Sequence, residues 1–169
     1  EGKHAGLECS QCHRKEATGT VFKGTPTDCF GCHQSDDAHQ GSLGTDCAGC
    51  HNPHASDYKH QLEAEGNTLC FLCHEDRKAE FTRKYPHKPA EESCLKCHDA
   101  HNSDHSFMLA SEGVALCYSC HKKMEEHLKA SAVRHQALDK GPCTTCHTPH
   151  SSDYPRQLKT HTKDICYTC

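Results

Sequence analysis

Tryptophan is absent from the 169 residues, methionine occurs twice, and the aromatic side chains amount to five Phe and five Tyr. Large apolar side chains are what a domain of this length packs inside, so a large all-protein core is excluded. The hydrophobic fraction of 34% overstates even that supply, because it counts 16 cysteines. Without them, about a quarter of the chain is apolar. No run of about 18 apolar residues occurs; the most apolar stretch, 107–116, is interrupted by Ser111, Glu112 and Gly113. No transmembrane segment is read, and the chain is expected to be soluble. A basic block is missing too, since 19 Lys and Arg are scattered among 23 Asp and Glu for a net charge of -4 with His neutral. That lacks the footprint of a nucleic-acid partner. The chain opens Glu1-Gly2-Lys3-His4, without Met or a signal-type apolar region, and reads as a processed product or a fragment.

Cysteine and histidine fill the gap, at 16 and 18 residues. Every cysteine falls in a C-x-x-C pair: Cys9/Cys12, Cys29/Cys32, Cys47/Cys50, Cys70/Cys73, Cys94/Cys97, Cys117/Cys120, Cys143/Cys146 and Cys166/Cys169. In seven of these pairs the next residue is histidine: His13, His33, His51, His74, His98, His121 and His147. The eighth pair closes at Cys169, and a continuation beginning with His is expected there.

A bare C-x-x-C pair suits a Cys₄ zinc site, a disulfide framework or a redox dithiol, but none of these requires an adjoining His. C-x-x-C-H is the attachment signature of c-type haem. Two cysteines three apart on one helical turn each form a thioether with a vinyl group, and the following His projects beneath the porphyrin as proximal iron ligand. With His at roughly one residue in nine, seven coincidences have a probability on the order of 10⁻⁷. The chain resembles the multihaem cytochromes c, and specifically the family with doubled C-x-x-C-H motifs.

The motifs repeat. Cys47 to Cys70, Cys94 to Cys117 and Cys143 to Cys166 are each 23 residues apart, and successive units are offset by 47 and then 49 residues. Their sequences align as His51-Asn52-Pro53-His54-Ala55-Ser56-Asp57, His98-Asp99-Ala100-His101-Asn102-Ser103-Asp104 and His147-Thr148-Pro149-His150-Ser151-Ser152-Asp153, followed by Leu62, Leu109 and Leu158. Four two-haem units are expected: a divergent one over 1–38, repeats over 39–86 and 87–134, and a last one over 135–169 cut at its final motif. In the first unit the two motifs are 20 residues apart and Glu16 replaces the second His.

Each iron needs a group on its other face. Two methionines, Met108 and Met124, serve at most two sites, whereas eleven histidines lie outside the signatures, so ligation by two histidines is the expectation. His54, His101 and His150 follow a proximal His by three residues, too close to pass around the macrocycle, and must each serve another haem. A second set lies upstream of the pairs: His39, His87 and His135 at eight, seven and eight residues before Cys47, Cys94 and Cys143, and His4 five before Cys9. His60, His105, His127 and His161 fall at unrelated offsets and read as surface residues, His127 or His161 being the reserve. Seven distal candidates against eight motifs leave one ligand to come from the reserve, from beyond residue 169, or from a neighbouring molecule.

The fold expected is mostly irregular with short α-helices, a haem-packed repeat without significant sheet. Helical patterns cover 75–84, ended by Pro86, and 114–138, ended by Gly141-Pro142. Ser56-Asp57, Ser103-Asp104 and Ser152-Asp153 read as turns or helix caps rather than catalytic or calcium sites. Pro53 and Pro149 are expected to fix the turn that aims the next His. About 21 residues per haem bury too little to order themselves, so the haem-free chain is expected to be unfolded.

Irons filled on both faces exchange electrons but admit no substrate. The function expected is therefore electron transfer through eight c-type haems at low potential, since two imidazoles lower the potential relative to His and Met. The alternative is a nitrite, hydroxylamine or tetrathionate oxidoreductase with one open haem. Partners would be redox donor and acceptor proteins or extracellular acceptors, with self-association into a polymer or a membrane complex as a further expectation. Thioether attachment takes place outside the energy-coupling membrane, so the resemblance implies a prokaryotic periplasm, cell surface or extracellular space, after removal of a signal peptide.

Overall fold

The structure is a computed structural model that describes residues 6–21, 29 and 47–167. His4, Cys32, His33, His39 and Cys169 lie outside the described residues. The chain divides into two compact units, Glu1–Leu69 with Ala100–Asn102, and Cys70–Asp99 with Ser103–Cys169. This division does not follow the four repeats of the sequence, because it parts the Cys47 motif from the Cys70/Cys73 motif.

In the first unit, α1 (Cys9–Cys12) carries one motif, and the Glu8 N–H at its start is held by Gln11 Oε1 at 2.8 Å. The chain then folds back at once as a hairpin of β1 (Arg14–Glu16) and β2 (Gly19–Val21), in the register Arg14 to Val21 and Glu16 to Gly19. Gly19, at φ 128°, supplies the backbone that a side chain resists at this tight return.

The second unit and its approach hold α2 (Asn67–Phe71), α3 (Glu75–Lys78), α4 (Lys88–Glu92), α5 (Gly113–Tyr118), α6 (Lys122–Ala130) and α7 (Gln136–Lys140). Its sheet is β3 (Tyr85–Pro86) paired antiparallel with β4 (Ser151–Ser152). The architecture is thus mostly irregular with short helices, and the sheets among the described residues have two strands each. No helix among the described residues is long and apolar enough to cross a membrane.

Both helical patterns of the sequence are broken by local chemistry. Over 75–84, α3 tightens after Lys78 into a 3₁₀ turn, Ala79–Thr82, and Pro86 sits in β3 instead of ending a helix. Glu75 and Asp76 in the first turn of α3 and Arg77 and Lys78 in its last complement the helix dipole. Over 114–138 there are three pieces. The first break falls where the Cys117/Cys120 turn passes into His121, at φ -91° and ψ 45°; the second falls between Ser131 and His135.

Among the described residues the buried ones are Ala90, Ser151 and Ser152, at 8%, 1% and 2% exposure. The described residues thus have next to no apolar interior of their own, and a repeated hydrogen-bonded backbone device shapes their loops.

Candidate functional site

Each described C-x-x-C-H segment is closed by the same bond, from the His N–H to the carbonyl of the first Cys. The distances are 2.7 Å for His13 to Cys9, 2.9 Å for His51 to Cys47, His74 to Cys70 and His121 to Cys117, and 3.0 Å for His98 to Cys94 and His147 to Cys143. This closed turn sets both thiols and the imidazole at fixed angles, whether it begins on α1, α2 or α5 or on the 3₁₀ turns Cys47–Gly49, Cys94–Lys96 and Cys143–Thr145.

The expectation that both cysteines of a motif ride one helical turn needs correcting, most plainly at Cys73. Helix α2 ends at Phe71, so Cys70 is helical while Cys73 lies beyond the helix in a turn, its N–H bonded to the Cys70 carbonyl at 3.3 Å. Cys120 stands likewise past the end of α5, with its N–H 3.3 Å from the Cys117 carbonyl. The reason lies in the next residue. To aim its ring, the histidine leaves helical backbone, at φ -103° and ψ 51° for His74, and the helix unwinds before the second thiol. Cys73 is exposed, as are Cys9, Cys12, Cys120 and Cys166, whereas Cys70 and the other described cysteines are half-buried. No group of three or more Cys, His, Asp or Glu side chains that could hold a metal ion converges among the described residues.

A second device recurs behind His51, His98 and His147. Nine residues on, His60, Phe107 and Arg156 adopt left-handed backbone, at φ 59°, 61° and 60°, and Gln61, Met108 and Gln157 follow them there. The first carbonyl of each pair accepts the imidazole Nδ1–H, at 2.8 Å for His51, 2.8 Å for His98 and 2.9 Å for His147. The second carbonyl accepts the N–H after the histidine, from Asn52 at 2.6 Å, Asp99 at 2.7 Å and Thr148 at 2.8 Å. A carbonyl only accepts, so the proton sits on Nδ1 and the Nε2 lone pair is left to bind a metal.

Ser56, Ser103 and Ser152 lock this clamp. Each hydroxyl accepts a backbone N–H two residues on, from Tyr58 at 2.9 Å, His105 at 3.0 Å and Tyr154 at 2.9 Å. It donates in turn to the carbonyl of Leu62 or Leu109, both at 2.5 Å, or of Leu158. The repeated Ser-Asp is thus a turn and not the cap of a helix. In the second repeat Asn52 Oδ1 also accepts from the N–H groups of His54 and Ala55 at 3.1 Å, shaping the approach to His54.

These segments bring imidazoles together in pairs. His51 and His101 have ring centres 6.2 Å apart with planes at 12°, and His98 and His150 are 6.2 Å apart at 37°. His87 and His121 are 6.2 Å apart at 16°, and His13 and His54 are 5.8 Å apart at 24°. Two imidazoles bound to one metal ion from opposite sides, through nitrogens about 2.0 Å from it, have ring centres about 6.3 Å apart. The four pairs could each hold one ion.

The pairs follow two rules. His54, His101 and His150 each face the histidine of the first motif in the preceding repeat, across 41, 50 and 52 residues of chain. His87, from the upstream set, faces the second-motif histidine of its own repeat. Its Nδ1–H is held by the Pro149 carbonyl at 2.9 Å. His135, the upstream residue of the next repeat, heads α7 and turns Nδ1 to accept from Ala137 N–H at 3.3 Å. His74 and His121 stand at the starts of α3 and α6.

Thiols of successive repeats also meet. Cys70 and Cys94 are within hydrogen-bond reach, which lowers the Cys70 thiol to about 7 and raises that of Cys94. Burial, with Cys143 alongside, pushes Cys117 up to about 11, and burial with Cys47 alongside raises Cys29. In every case the last motif of one repeat touches the first motif of the next. It is the first cysteine of each motif that makes this contact, and in the Cys70 motif the second one, Cys73, faces outward.

His150 is held differently from the other clamped imidazoles. Its Nδ1–H donates to Glu80 Oε2 at 2.8 Å, while Arg77 Nη1 holds Glu80 Oε1 at 2.7 Å. Burial alone would raise the Glu80 pKa, but the bonds from His150 and Arg77 and their charge hold it below the ordinary carboxylate value. The Glu80 carbonyl accepts from the Ser151 hydroxyl, and the Phe81 ring lies 5.8 Å from that of His150.

Of the four histidines read as surface residues, His127 and His161 are exposed, and His161 packs edge-on against Tyr154 at 4.7 Å. His60 is also exposed, yet its carbonyl belongs to the clamp, a role hidden from the sequence because its counterparts are Phe107 and Arg156. His105 is half-buried within the Ser103 turn. Glu80, too, carried no signal, its partner lying 70 residues away.

The family described as the doubled CXXCH motif matches residues 39–79, 87–126 and 135–169. No curated protein matches the chain.

Proposed function

We propose, on the premise that the chain belongs to the doubled CXXCH motif family and is a multihaem c-type cytochrome that binds haem covalently and transfers electrons, that it conducts through low-potential irons held by two histidines each. The observation that carries this reading is the set of three imidazole pairs at 6.2 Å, two joining successive repeats and one lying within a repeat.

In this reading Cys9, Cys12, His13 and His54 hold one haem, and Cys47, Cys50, His51 and His101 the next of their kind. Cys94, Cys97, His98 and His150 hold a third, and Cys117, Cys120, His121 and His87 a fourth. The upstream rule, extended by sequence position, assigns His39 to the haem on Cys70, Cys73 and His74, and His4 to that on Cys29, Cys32 and His33. It assigns His135 to the haem on Cys166 and Cys169, which requires His135 Nδ1 to give up the Ala137 N–H and take the ring proton. With Cys143, Cys146 and His147, the motifs account for eight haems. Each haem, when bound, supplies a one-electron iron couple. The imidazoles fill both faces and so keep substrate off the metal, and two nitrogens in place of a methionine sulfur keep the potential low. The cysteines that meet at Cys29/Cys47, Cys70/Cys94 and Cys117/Cys143 would each hold a haem of a different motif, and so would set neighbouring haems close enough for electron exchange.

Among the described residues no imidazole stands opposite His147, although its Nδ1–H is clamped as in His51 and His98. The first rule supplies that position from a His-x-x-His segment of a further repeat, in this chain or in another copy. Self-association into a polymer or membrane complex rests on this site, as does the second reading, an enzyme with one open iron. Redox proteins or extracellular acceptors would be the partners, in a prokaryotic periplasm, at the cell surface or outside the cell.

The test uses the haem-loaded protein. Intact mass is expected to give eight haems, and electron paramagnetic resonance with near-infrared magnetic circular dichroism is expected to give low-spin bis-imidazole signals for at least seven. Methionine-type charge-transfer bands, or several high-spin irons per chain, would overturn the reading. Cyanide binding at one haem together with turnover of nitrite would favour the enzyme.

A further inference from the structure

We infer that Glu80 is a positioning residue that sets the haem on Cys94 and Cys97, between His98 and His150, at a lower reduction potential than the haem on Cys117 and Cys120, between His121 and His87. The inference rests on the two-histidine reading given above.

The two sites differ in what grips the imidazole facing the proximal one. His87 donates its Nδ1–H to a neutral acceptor, the Pro149 carbonyl, at 2.9 Å. His150 donates to a carboxylate at 2.8 Å, in a pair whose side chains are 29% and 24% exposed. A carboxylate draws the Nδ1 proton outward and leaves more negative charge on the ring, which makes Nε2 a stronger donor. A stronger donor favours ferric over ferrous iron, so the couple shifts downward. Both side chains are half-buried, so solvent screens the polarisation only in part.

The surroundings hold the geometry. The Glu80 backbone carbonyl accepts from Ser151, which is 1% exposed, and the His150 carbonyl accepts from His87 N–H at 2.8 Å beside the β3–β4 pairing. Phe81 covers one side of the imidazole. Arg77 works against the effect, because its bond to Glu80 Oε1 at 2.7 Å withdraws part of the charge that Oε2 presents to His150. Glu80 and Arg77 therefore form a graded control acting through one ligand, and the chain possesses a fixed low-potential step in its second unit.

The test is a potential measurement on the haem-loaded full chain, with sites resolved by paramagnetically shifted haem-methyl resonances during a redox titration. Glu80→Gln keeps an oxygen acceptor of the same size but removes its charge. The expected result is an upward shift of a single haem's midpoint, with the rest unmoved and every low-spin signal retained. Arg77→Gln, which leaves the His150 contact in place, is expected to shift the same midpoint downward. Unmoved midpoints in Glu80→Gln with intact low-spin spectra, or a shift spread evenly over all haems, overturn the role of Glu80 alone. A high-spin or methionine-type spectrum at this site in the unsubstituted protein overturns the two-histidine reading and the role of Glu80 with it.

Discussion

After His13 the chain turns straight back on itself as the Arg14–Val21 hairpin; after His51, His98 and His147 it runs out, makes a histidine turn, is tied down by a serine, and returns in left-handed backbone. The two paths begin from the same closed C-x-x-C-H turn. The hairpin offers Glu16 where the others offer His54, His101 or His150, so it accepts an imidazole from the next repeat and extends none from this segment. The difference teaches that attachment and linkage are separate jobs. The motif fixes a haem to the chain, and the loop behind it fixes that repeat to its neighbour.

The widest test of this division removes the haem. A two-stranded hairpin of three-residue strands is marginal by itself, and the clamps surround almost no buried apolar surface. Haem-free protein is therefore expected to lose both regions together. Far-UV circular dichroism retaining the native helix signal without haem would break the argument.

Next in size, His101→Ala is expected to convert one haem of the set, that on Cys47 and Cys50, to a five-coordinate high-spin form, while Glu16→Ala leaves every haem low-spin. Magnetic resonance of the two variants side by side tests whether the loop after the motif is the linking part. An identical response from both would erase the comparison.

A smaller effect is expected from the serines. Ser152, at 2% exposure, bonds Tyr154 N–H and the Leu158 carbonyl, so Ser152→Ala strands both and is expected to cost about 1–2 kcal/mol. Ser56→Ala, in a more exposed clamp, is expected to cost about half as much. Denaturant titration of the haem-loaded variants, followed by Soret absorbance, ranks the two.

The smallest effect concerns Phe107, held at φ 61° with its ring 84% exposed. Asparagine tolerates that backbone better, so Phe107→Asn is expected to stabilise the fold by about 0.5 kcal/mol without altering any haem spectrum. A changed spectrum would mean that the ring, and not merely its carbonyl, belongs to the site.

Much of the site was legible because it is built from side-chain chemistry at fixed spacing. Thiols three apart with a following imidazole are unmistakable, and the three-residue offset of His54, His101 and His150 assigned them by sterics to a haem other than their own, without saying which repeat carries it. The rest was hidden where the backbone does the work. His60, Phe107 and Arg156 share one role and no chemistry, since only their carbonyls are used, so alignment reads them as unrelated. Glu80 pairs with His150 across 70 residues, a distance no local pattern spans. The helix expected over 114–138 failed for a related reason, because the turn that presents Cys117, Cys120 and His121 interrupts a favourable periodicity. Cys73 departs from its helix in the same way, since spacing alone does not tell a regular helix from one that unwinds to release the following histidine.

Because the clamp asks nothing of the side chains at 60, 107 and 156, those positions are free for the protein's dealings with its surroundings. An imidazole, a phenyl ring and a guanidinium already occupy them, each on the outer lip of its own loop. Selection could repaint that lip for a new surface or a new neighbour while the wiring beneath it stays as it was.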